Sequence, residues 1–366
     1  QSPAGHRAGV SLTAVVVGTS FGARIHVPAF RTAGFEVVAL VGQDPARTAR
    51  RAERLGIEHA CTSLADALEL GVDAVSIAGP PAAHAGLAAQ AIEAGCHVLC
   101  EKPFTLDAPE ARQLVEAADA AGVVGYLGHE FRWSPEQALI EWALGSGLIG
   151  TPKLMLGASF LSMLRSFPMA DWWYDPAAGG GWFGASGSHR IDALRQWFGE
   201  VKAVSAGFPA VSDPALDVDD SFDLRCVMRS GVDVSLMQSA AAIGPGFSVN
   251  RIVGTGGTLW SESDGVHIAD ADSPEGRRLD RPDFLALPDV EDLAIGALAD
   301  MTRTELPPYI MLTRAFRRAI EGGPTEPGPS PATFADGLAC MQVVDAARRS
   351  ASTGGSWITL EPGGPI

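Results

Sequence analysis

Ser11-Leu12-Thr13-Ala14-Val15-Val16-Val17, followed at once by Gly18-Thr19-Ser20-Phe21-Gly22-Ala23, is the stretch whose reading decides the fold. Seven residues form a continuous apolar run with the character of a buried strand, and a glycine turn closes it. A helix-like segment then reaches Ala33 and stops at Gly34, and residues 35–41 make a second apolar strand. Strand, glycine turn, helix and strand within about 30 residues is the setting that turns a glycine pattern into a dinucleotide fingerprint. The physical basis is close backbone approach to a pyrophosphate, which then rests on the helix N-terminus. Gly18 takes the first glycine position, Ser20 stands at the second, and Ala23 at the third, where a small side chain is enough. Phe21 and Gly22 complete the turn, and the Ser20 hydroxyl can donate to a phosphate.

An acid at the end of the second strand ordinarily takes the ribose hydroxyls. Here that strand ends Val41-Gly42-Gln43-Asp44-Pro45, with Gly42 at the expected position and Asp44 two residues later. Loss of the acid removes a barrier to a 2′-phosphate, Gln43 is not the arginine that welcomes one, and Arg47, Arg50 and Arg51 follow on the next helix. The cofactor is therefore read as NAD or NADP.

The alternation continues with a helix at 46–55, a capping-box start at Ser63-Leu64-Ala65-Asp66, and a strand at 73–78. Gly79-Pro80-Pro81 closes that strand with a turn able to pack on the flat face of a nucleotide, and His84 opens a helix at 85–94. A strand around Val98-Leu99-Cys100, a helix at 108–121 and a strand at 123–128 complete the series. Repeated βα units argue a doubly wound parallel sheet.

Within that series, Cys96-His97-Val98-Leu99-Cys100-Glu101-Lys102-Pro103-Phe104 places a lysine at the end of a strand. Pro103 cannot donate a ladder hydrogen bond, so the strand stops there. Ligands of open α/β sheets bind at the carboxyl ends of the strands, and Glu101 and Lys102 stand at that edge. Lys102 is one of three lysines, with Lys153 and Lys202.

After His129-Glu130-Phe131-Arg132-Trp133 the texture changes. Beyond a helix at 135–146, strand-like runs succeed one another at 153–161, 201–208, 221–229, 232–239, 247–254 and 258–263, with hairpin signals at Ser230-Gly231 and Gly256-Gly257. Helices at 309–321 and 331–351 and a strand at 357–360 close the chain. This predicts an α/β protein: a Rossmann domain at 11–130, and an α+β domain at 131–366 with a large, mostly antiparallel open sheet. A flexible leader is expected at 1–10, and the helix at 331–351 is one that could pack back on the first domain.

A second group of chemistry-bearing residues lies in that half. Gly179-Gly180-Gly181 leads into Trp182-Phe183-Gly184-Ala185-Ser186-Gly187-Ser188-His189, with Asp192 one helical turn beyond His189. Asp171-Trp172-Trp173-Tyr174-Asp175 offers aromatic faces and carboxylates of the kind that bind a sugar. Trp172, Trp173, Asp175 and Asp192 are candidates for substrate contact, as are Glu130 and Arg132 in the joining segment.

Composition narrows the classes. The chain has 366 residues, 46% hydrophobic and 19% charged, with a formal net charge of −16. An acidic protein without a basic patch is a poor partner for nucleic acid or an anionic membrane. No apolar run approaches the ~18 residues of a membrane span. Five scattered cysteines give no disulfide framework, Cys96-His97-Cys100 lacks a second ligand pair for a metal, and no metal is expected. Residues 1–9 carry no apolar core of a signal peptide, and the cytoplasm is the expected compartment.

The two groups together resemble the Gfo/Idh/MocA family of oxidoreductases over nearly the whole chain. The residues that carry the likeness are Gly18 to Ala23, the run from Ala94 to Pro103, and Gly179-Gly180-Gly181…Gly187-Ser188-His189…Ile191-Asp192. Pro331-Ala332-Thr333-Phe334-Ala335-Asp336-Gly337 adds to it. The resemblance implies NAD(P)-dependent hydride transfer to or from a secondary hydroxyl or ketone of a sugar, cyclitol or related polyol. It also implies a homo-oligomer, dimer or tetramer, built through the second sheet. Lys102 takes the family's catalytic lysine position and His189 its catalytic histidine. Gly18, Ser20, Phe21, Gly22, Ala23, Gly42, Gln43, Gly79, Pro80, His84, Glu101 and Lys102 fall on the cofactor side. Family dehydrogenases commonly carry an aspartate four residues before that histidine, and this chain has Ala185. The resemblance also implies an alternative, transient oxidation on a tightly held NAD during glycosidic cleavage or another elimination, and Ser20 with Ala185 motivates a second, a non-catalytic dinucleotide-binding protein.

Overall fold

The computed structural model describes residues 11–166, 169–212, 215–293 and 298–361; the leader expected at 1–10 lies outside the described residues. The chain divides into two compact units. One comprises the chain up to Phe104, Pro109–Trp133 and Leu287–Ala335, the other Thr105–Ala108, Ser134–Ala286 and the chain from Asp336 onward.

The first unit is built on six strands: β1 (Thr13–Val17), β2 (Glu36–Val41), β3 (His59–Cys61), β4 (Ala74–Ile77), β5 (His97–Cys100) and β6 (Gly125–Leu127). All pair in parallel, in the order β3-β2-β1-β4-β5-β6. This is the doubly wound sheet expected, with its reversal of strand order between β1 and β4. Strands covered on both faces tolerate no polar alternation; hence the unbroken apolar runs in β1 and β4, whose residues are almost all buried. A π turn at Gly22–His26 runs into α1 (Val27–Thr32), and α2 (Pro45–Leu55), α3 (Leu64–Leu68), α4 (Pro81–Glu93) and α5 (Ala108–Ala121) follow. Asp44 caps α2 by accepting from the Arg47 N–H at 2.9 Å, and Ser63 caps α3 by accepting from Asp66 at 3.2 Å.

The second unit carries α6 (Pro135–Gly145), α7 (Met163–Ser166), α8 (Ser188–Phe198) and a nine-stranded sheet. Its strands are β7 (Pro152–Phe160), β8 (Val201–Gly207), β9 (Ser221–Met228), β10 (Asp233–Ser239), β11 (Phe247–Gly254), β12 (Gly257–Glu262), β13 (Gly265–Asp270), β14 (Arg277–Arg278) and β15 (Ile358–Thr359). They lie in the order β14-β13-β12-β11-β7-β10-β9-β8-β15. Every neighbouring pair is antiparallel except β7 with β10. The sequence reading ended this series at residue 263 and so omitted β13 and β14. Asp264-Gly265 at the β12–β13 connection is a hairpin signal that would have extended it. Period-two burial separates the faces: Met155, Val234, Leu236 and Ile252 are buried, whereas Leu154, Leu156, Met237 and Phe247 are exposed.

The chain returns to the first unit through α9 (Ala299–Ile320). Its residues were expected within 131–366, with a helix beginning only at 309. Pro307 and Pro308 lie inside this helix, where each removes an intrahelical donor, and that is what hid the first turns from sequence reading. Packing outweighs the two lost bonds. Leu306, Tyr309, Ile310, Leu312 and Phe316 join Ile25, Val27, Phe30 and Phe35 in one core, and the Thr313 hydroxyl donates to Ala29 O at 3.1 Å. The last helix, α10 (Phe334–Ser352), begins in the first unit and continues in the second. Leu127 N donates to Ala332 O just ahead of it, and the Phe334 ring lies 4.4 Å from Phe104.

Candidate active site

At the carboxyl edge of the parallel sheet four chain ends come side by side. Gly18 N donates to Val41 O at 2.9 Å, Ala78 N to Val17 O at 2.8 Å, Glu101 N to Ile77 O at 2.9 Å and Gly128 N to Cys100 O at 2.7 Å. The loops after β1, β4, β5 and β6 are thereby aligned around the topological switch point, where open α/β sheets bind ligands. Gly18 has φ +121°, and a Cβ there would stand 2.4 Å from Ala78 O, so the turn after β1 admits only glycine. Ser20 is exposed, Phe21 is partly covered, and Gly22 and Ala23 are buried under the turn. Arg24 N bonds Ser20 O, which leaves the N–H groups of the preceding residues at a helix start that lacks intrahelical acceptors.

At the end of β2, Gln43 and Asp44 are exposed and the Asp44 carboxylate is committed to capping α2. Gly42 is enclosed: a Cβ would come within 2.3 Å of Thr19 Cγ2 and 2.6 Å of Thr48 Oγ1. After β4, Gly79 and Pro80 are partly exposed. His84 is fully buried, with Nδ1 2.8 Å from Pro103 O and Nε2 3.0 Å from Gly79 O. Burial pushes its pKa down against the pull of those carbonyls. It joins the turn after β4 to the proline that follows Lys102, and so braces the loop rather than opening onto it.

Lys102 is partly exposed, and the Lys102–Pro103 peptide is cis. Beneath it lies a buried polar chain. Glu101 is 7% exposed, and its Oε1 lies 3.2 Å from His26 Nε2, while His26 Nδ1 lies 2.6 Å from Ser76 Oγ. The Tyr309 ring from α9 packs 4.6 Å from the His26 ring. Gly128 passes between these groups: a Cβ there would be 2.3 Å from Glu101 Oε1 and 2.5 Å from Tyr309 Oη. Glu130 is buried in the turn Glu130–Trp133, which packs against α9. Burial, then the neighbouring Glu305 and Glu101 carboxylates, drive the Glu130 pKa well up, with Lys102 opposing. Glu305 is also raised, chiefly by burial. Arg132 is buried and donates to Ser330 O at 3.1 Å.

In the second unit, Gly179–Ser188 forms a tight approach to α8. Asp219 accepts from the Phe183 N–H at 2.5 Å, its own carbonyl accepts from Trp182 N at 2.8 Å, and burial raises its pKa. A Cβ on Gly181 would meet that carboxylate at 2.5 Å, which accounts for one glycine of the triplet. His189 is partly exposed in the first turn of α8, and Asp192 is buried. Asp175 is exposed and accepts from Ala177 N at 2.9 Å; Trp172 is partly covered, and Trp173 is buried edge-on to Tyr174.

Sequence reading did not find His26, Glu305, Tyr309 or Asp219. His26 lies one turn past Gly22 on the expected helix, yet no local pattern names its partner 75 residues away. Glu305 precedes Pro307-Pro308 and lay ahead of the helix expected at 309–321.

A family model described as "Oxidoreductase family, NAD-binding Rossmann fold" matches residues 12–129. A second, the GFO/IDH/MocA C-terminal domain, matches residues 139–260. The chain belongs to the Gfo/Idh/MocA family. An uncharacterised oxidoreductase of Synechocystis sp. is 30% identical to this member over 69% of either chain. The D-apiose dehydrogenase of Paraburkholderia graminis is 30% identical over 59% of this chain and 57% of its own, so the match spans little over half of that relative. Among solved structures, a levoglucosan dehydrogenase complex with NADH and levoglucosan has a TM-score of 0.81, with 23% identity over 96% and 100% of the two chains, and supports the fold alone. A complex of GenD2 from gentamicin A biosynthesis with NAD has a TM-score of 0.76 at 25% identity, over 99% and 100%. Among the described residues of this family member, no helix is long and apolar enough to cross a membrane.

Proposed function

We propose that the protein is an NAD(P)-dependent dehydrogenase or reductase acting on a secondary hydroxyl or ketone of a sugar, cyclitol or related polyol. The observation that carries the reading is Lys102 at the carboxyl end of β5, beside the switch point and above a buried acid network. The residues fit a dinucleotide. Ser20, Phe21 and Gly22 would hold the pyrophosphate at a helix start, Gln43 the ribose edge, and Gly79 and Pro80 the flat face of a base. When bound, the nicotinamide supplies the hydride acceptor or donor.

The chain's own part is proton handling and charge. Oxidation of a carbinol carbon removes a proton from its hydroxyl, and reduction returns one to the same oxygen. Lys102 donates a hydrogen bond to that oxygen and stabilises the negative charge that develops on it. The family pattern gives His189 the role of general base, suited by the range in which imidazole exchanges protons. With Ala185 in place of the usual aspartate, no carboxylate precedes this histidine by one turn. Related sugar-active proteins, among them the D-apiose and levoglucosan dehydrogenases, support the substrate class.

The exposed apolar face of the second sheet supports a homo-oligomer. Leu154, Leu156, Met237 and Phe247 are each about half exposed on β7, β10 and β11, with the Phe160 and Phe247 rings stacked 6.0 Å apart.

The test is a thermal-shift screen of NAD and NADP with polyols, followed by steady-state assays on the hits. Lys102→Ala is expected to lower turnover by about 100-fold or more with cofactor binding nearly intact. An unchanged rate would remove Lys102 from the mechanism. A cofactor that co-purifies and is not consumed would favour transient oxidation instead.

A further inference from the structure

We propose that Ser76, His26 and Glu101 form one hydrogen-bonded chain that holds the backbone of Lys102, with His26 and Glu101 as positioning residues. The role in turnover rests on the dehydrogenase reading; the chain itself does not. Glu101 N still joins the sheet, donating to Ile77 O at 2.9 Å. Beyond it the Lys102 N–H turns to a side chain and donates to Glu101 Oε2 at 3.3 Å. The other oxygen, Oε1, lies 3.2 Å from His26 Nε2. A carboxylate only accepts, so Nε2 carries the proton. The neutral ring then leaves Nδ1 to accept from the Ser76 hydroxyl, 2.6 Å away. Each donor in the chain thus serves the next acceptor, and two of them converge on the Glu101 carboxylate.

Packing holds each link in place. Ser76 and His26 are fully buried, and Glu101 is nearly so. Phe21, on the glycine turn, stands edge-on to the imidazole at 5.4 Å, and Tyr309 of α9 covers it at 4.6 Å. In a close-packed interior the ring cannot swing from its partners without displacing one of these aromatics. Hydrogen bonds to an ionised acceptor are stronger than neutral ones, and a low local dielectric strengthens them further. Both carboxylate oxygens are engaged by the protein. Glu101 therefore acts on the Lys102 backbone and not on the dinucleotide, although the family pattern places it on the cofactor side. Rate depends steeply on such placement, since a shift of about 1 Å in a positioned group can cost about 100-fold. His26 touches no substrate; it acts by fixing Glu101, and through Glu101 the backbone that carries the lysine.

The experiment compares the parent with His26→Ala, His26→Gln, Ser76→Ala and Glu101→Leu. The chain's lysines are Lys102, Lys153 and Lys202, so 15N-lysine labelling gives a backbone amide spectrum of three signals. Loss of one signal in Lys102→Arg assigns it. In the cofactor-free protein the Lys102 signal is expected to shift in His26→Ala and, through the imidazole, in Ser76→Ala. Lys153 and Lys202, on β7 and β8 of the other unit, should stay in place. His26→Gln keeps a donor at the Nε2 position and should hold the signal near that of the parent. A Lys102 amide that is unmoved in folded His26→Ala, or that moves as far in His26→Gln, overturns the chain whatever the substrate. On the oxidoreductase reaction, His26→Ala is expected to lower kcat about 10- to 100-fold, the loss of one charge-assisted bond expressed as a rate. KM and the Kd for the dinucleotide should hold within about twofold, and His26→Gln should recover most of the rate. Parental kcat in His26→Ala, or an equal loss in His26→Gln, overturns the positioning role. So does Glu101→Leu with parental kcat and a dinucleotide Kd raised about tenfold or more, which would make Glu101 a cofactor contact. Where His26→Ala does not fold, Glu101→Leu set against His26→Gln carries both readouts. Because the amide signal needs no turnover, a failure of the substrate assignment leaves the chain tested, and an unmoved signal leaves the assignment standing.

Discussion

His26 Nε2 lies 3.2 Å from Glu101 Oε1 and the opposite ring nitrogen 2.6 Å from Ser76 Oγ, so one buried imidazole joins the first helix, the fourth strand and the acid beside Lys102. Removing the imidazole leaves a buried carboxylate without that partner and a void against the Tyr309 ring. His26→Ala is expected to cost about 2–4 kcal/mol, read as a fall in the urea midpoint with an unchanged slope. His26→Asn, able to reach one partner, should cost less. Equal midpoints for parent and His26→Ala would show that the contact contributes nothing.

The raised Glu130 and Glu305 pKa values set a direction for stability against pH. The unfolded chain releases these protons near the ordinary glutamate value of 4.5, while burial in the folded protein moves their release to higher pH. Between those limits the native state binds more protons than the unfolded state, so stability falls as pH rises and levels off once the folded pair has ionised. Urea titrations across that range should show a decline that flattens in Glu130→Gln. A decline of the same slope in the variant would place its origin elsewhere.

Gly42 stands at the end of β2, where an acid for the ribose hydroxyls is ordinarily found. An aspartate there would suit the 2′-hydroxyl of NAD, but its Cβ would fall 2.3 Å from Thr19 Cγ2 and 2.6 Å from Thr48 Oγ1. Gly42→Asp alone is therefore expected to destabilise the protein by about 1–3 kcal/mol through overpacking, with no gain in preference for NAD. Adding Thr48→Ala should relieve part of the strain and shift the NAD-to-NADP affinity ratio toward NAD, as followed by melting temperature and cofactor titration. A stable single variant would contradict the enclosure.

The open face of the nine-stranded sheet predicts association. Leu156 is 55% exposed and pairs across the strands with Arg251 and Ser235. Sedimentation velocity should find a dimer or tetramer for the parent and smaller species for Leu156→Glu, with little change in the stability of the monomer. A monomeric parent at micromolar concentration would end the proposal.

Much of this was legible without coordinates because it is local. The βα alternation, the glycine turn at 18–23, the end of β5 at a proline and the hairpins of the second half follow from periodicity and turn chemistry over a few residues. So do Lys102 as a strand-end lysine and His189 at a helix start. What the sequence could not carry depends on contacts between distant segments. A helix through Pro307-Pro308 forms because its apolar face is buried against Ile25 and Phe30, and propensity alone argues against it. The same docking brings Glu305 to Glu130 and Tyr309 to His26, and it turns Glu101 from an edge residue into a buried partner of His26. Sequence thus determined which groups stand at the sheet edge. Only tertiary packing decided their charge environment, because desolvation and pairing depend on what lies against a group in space.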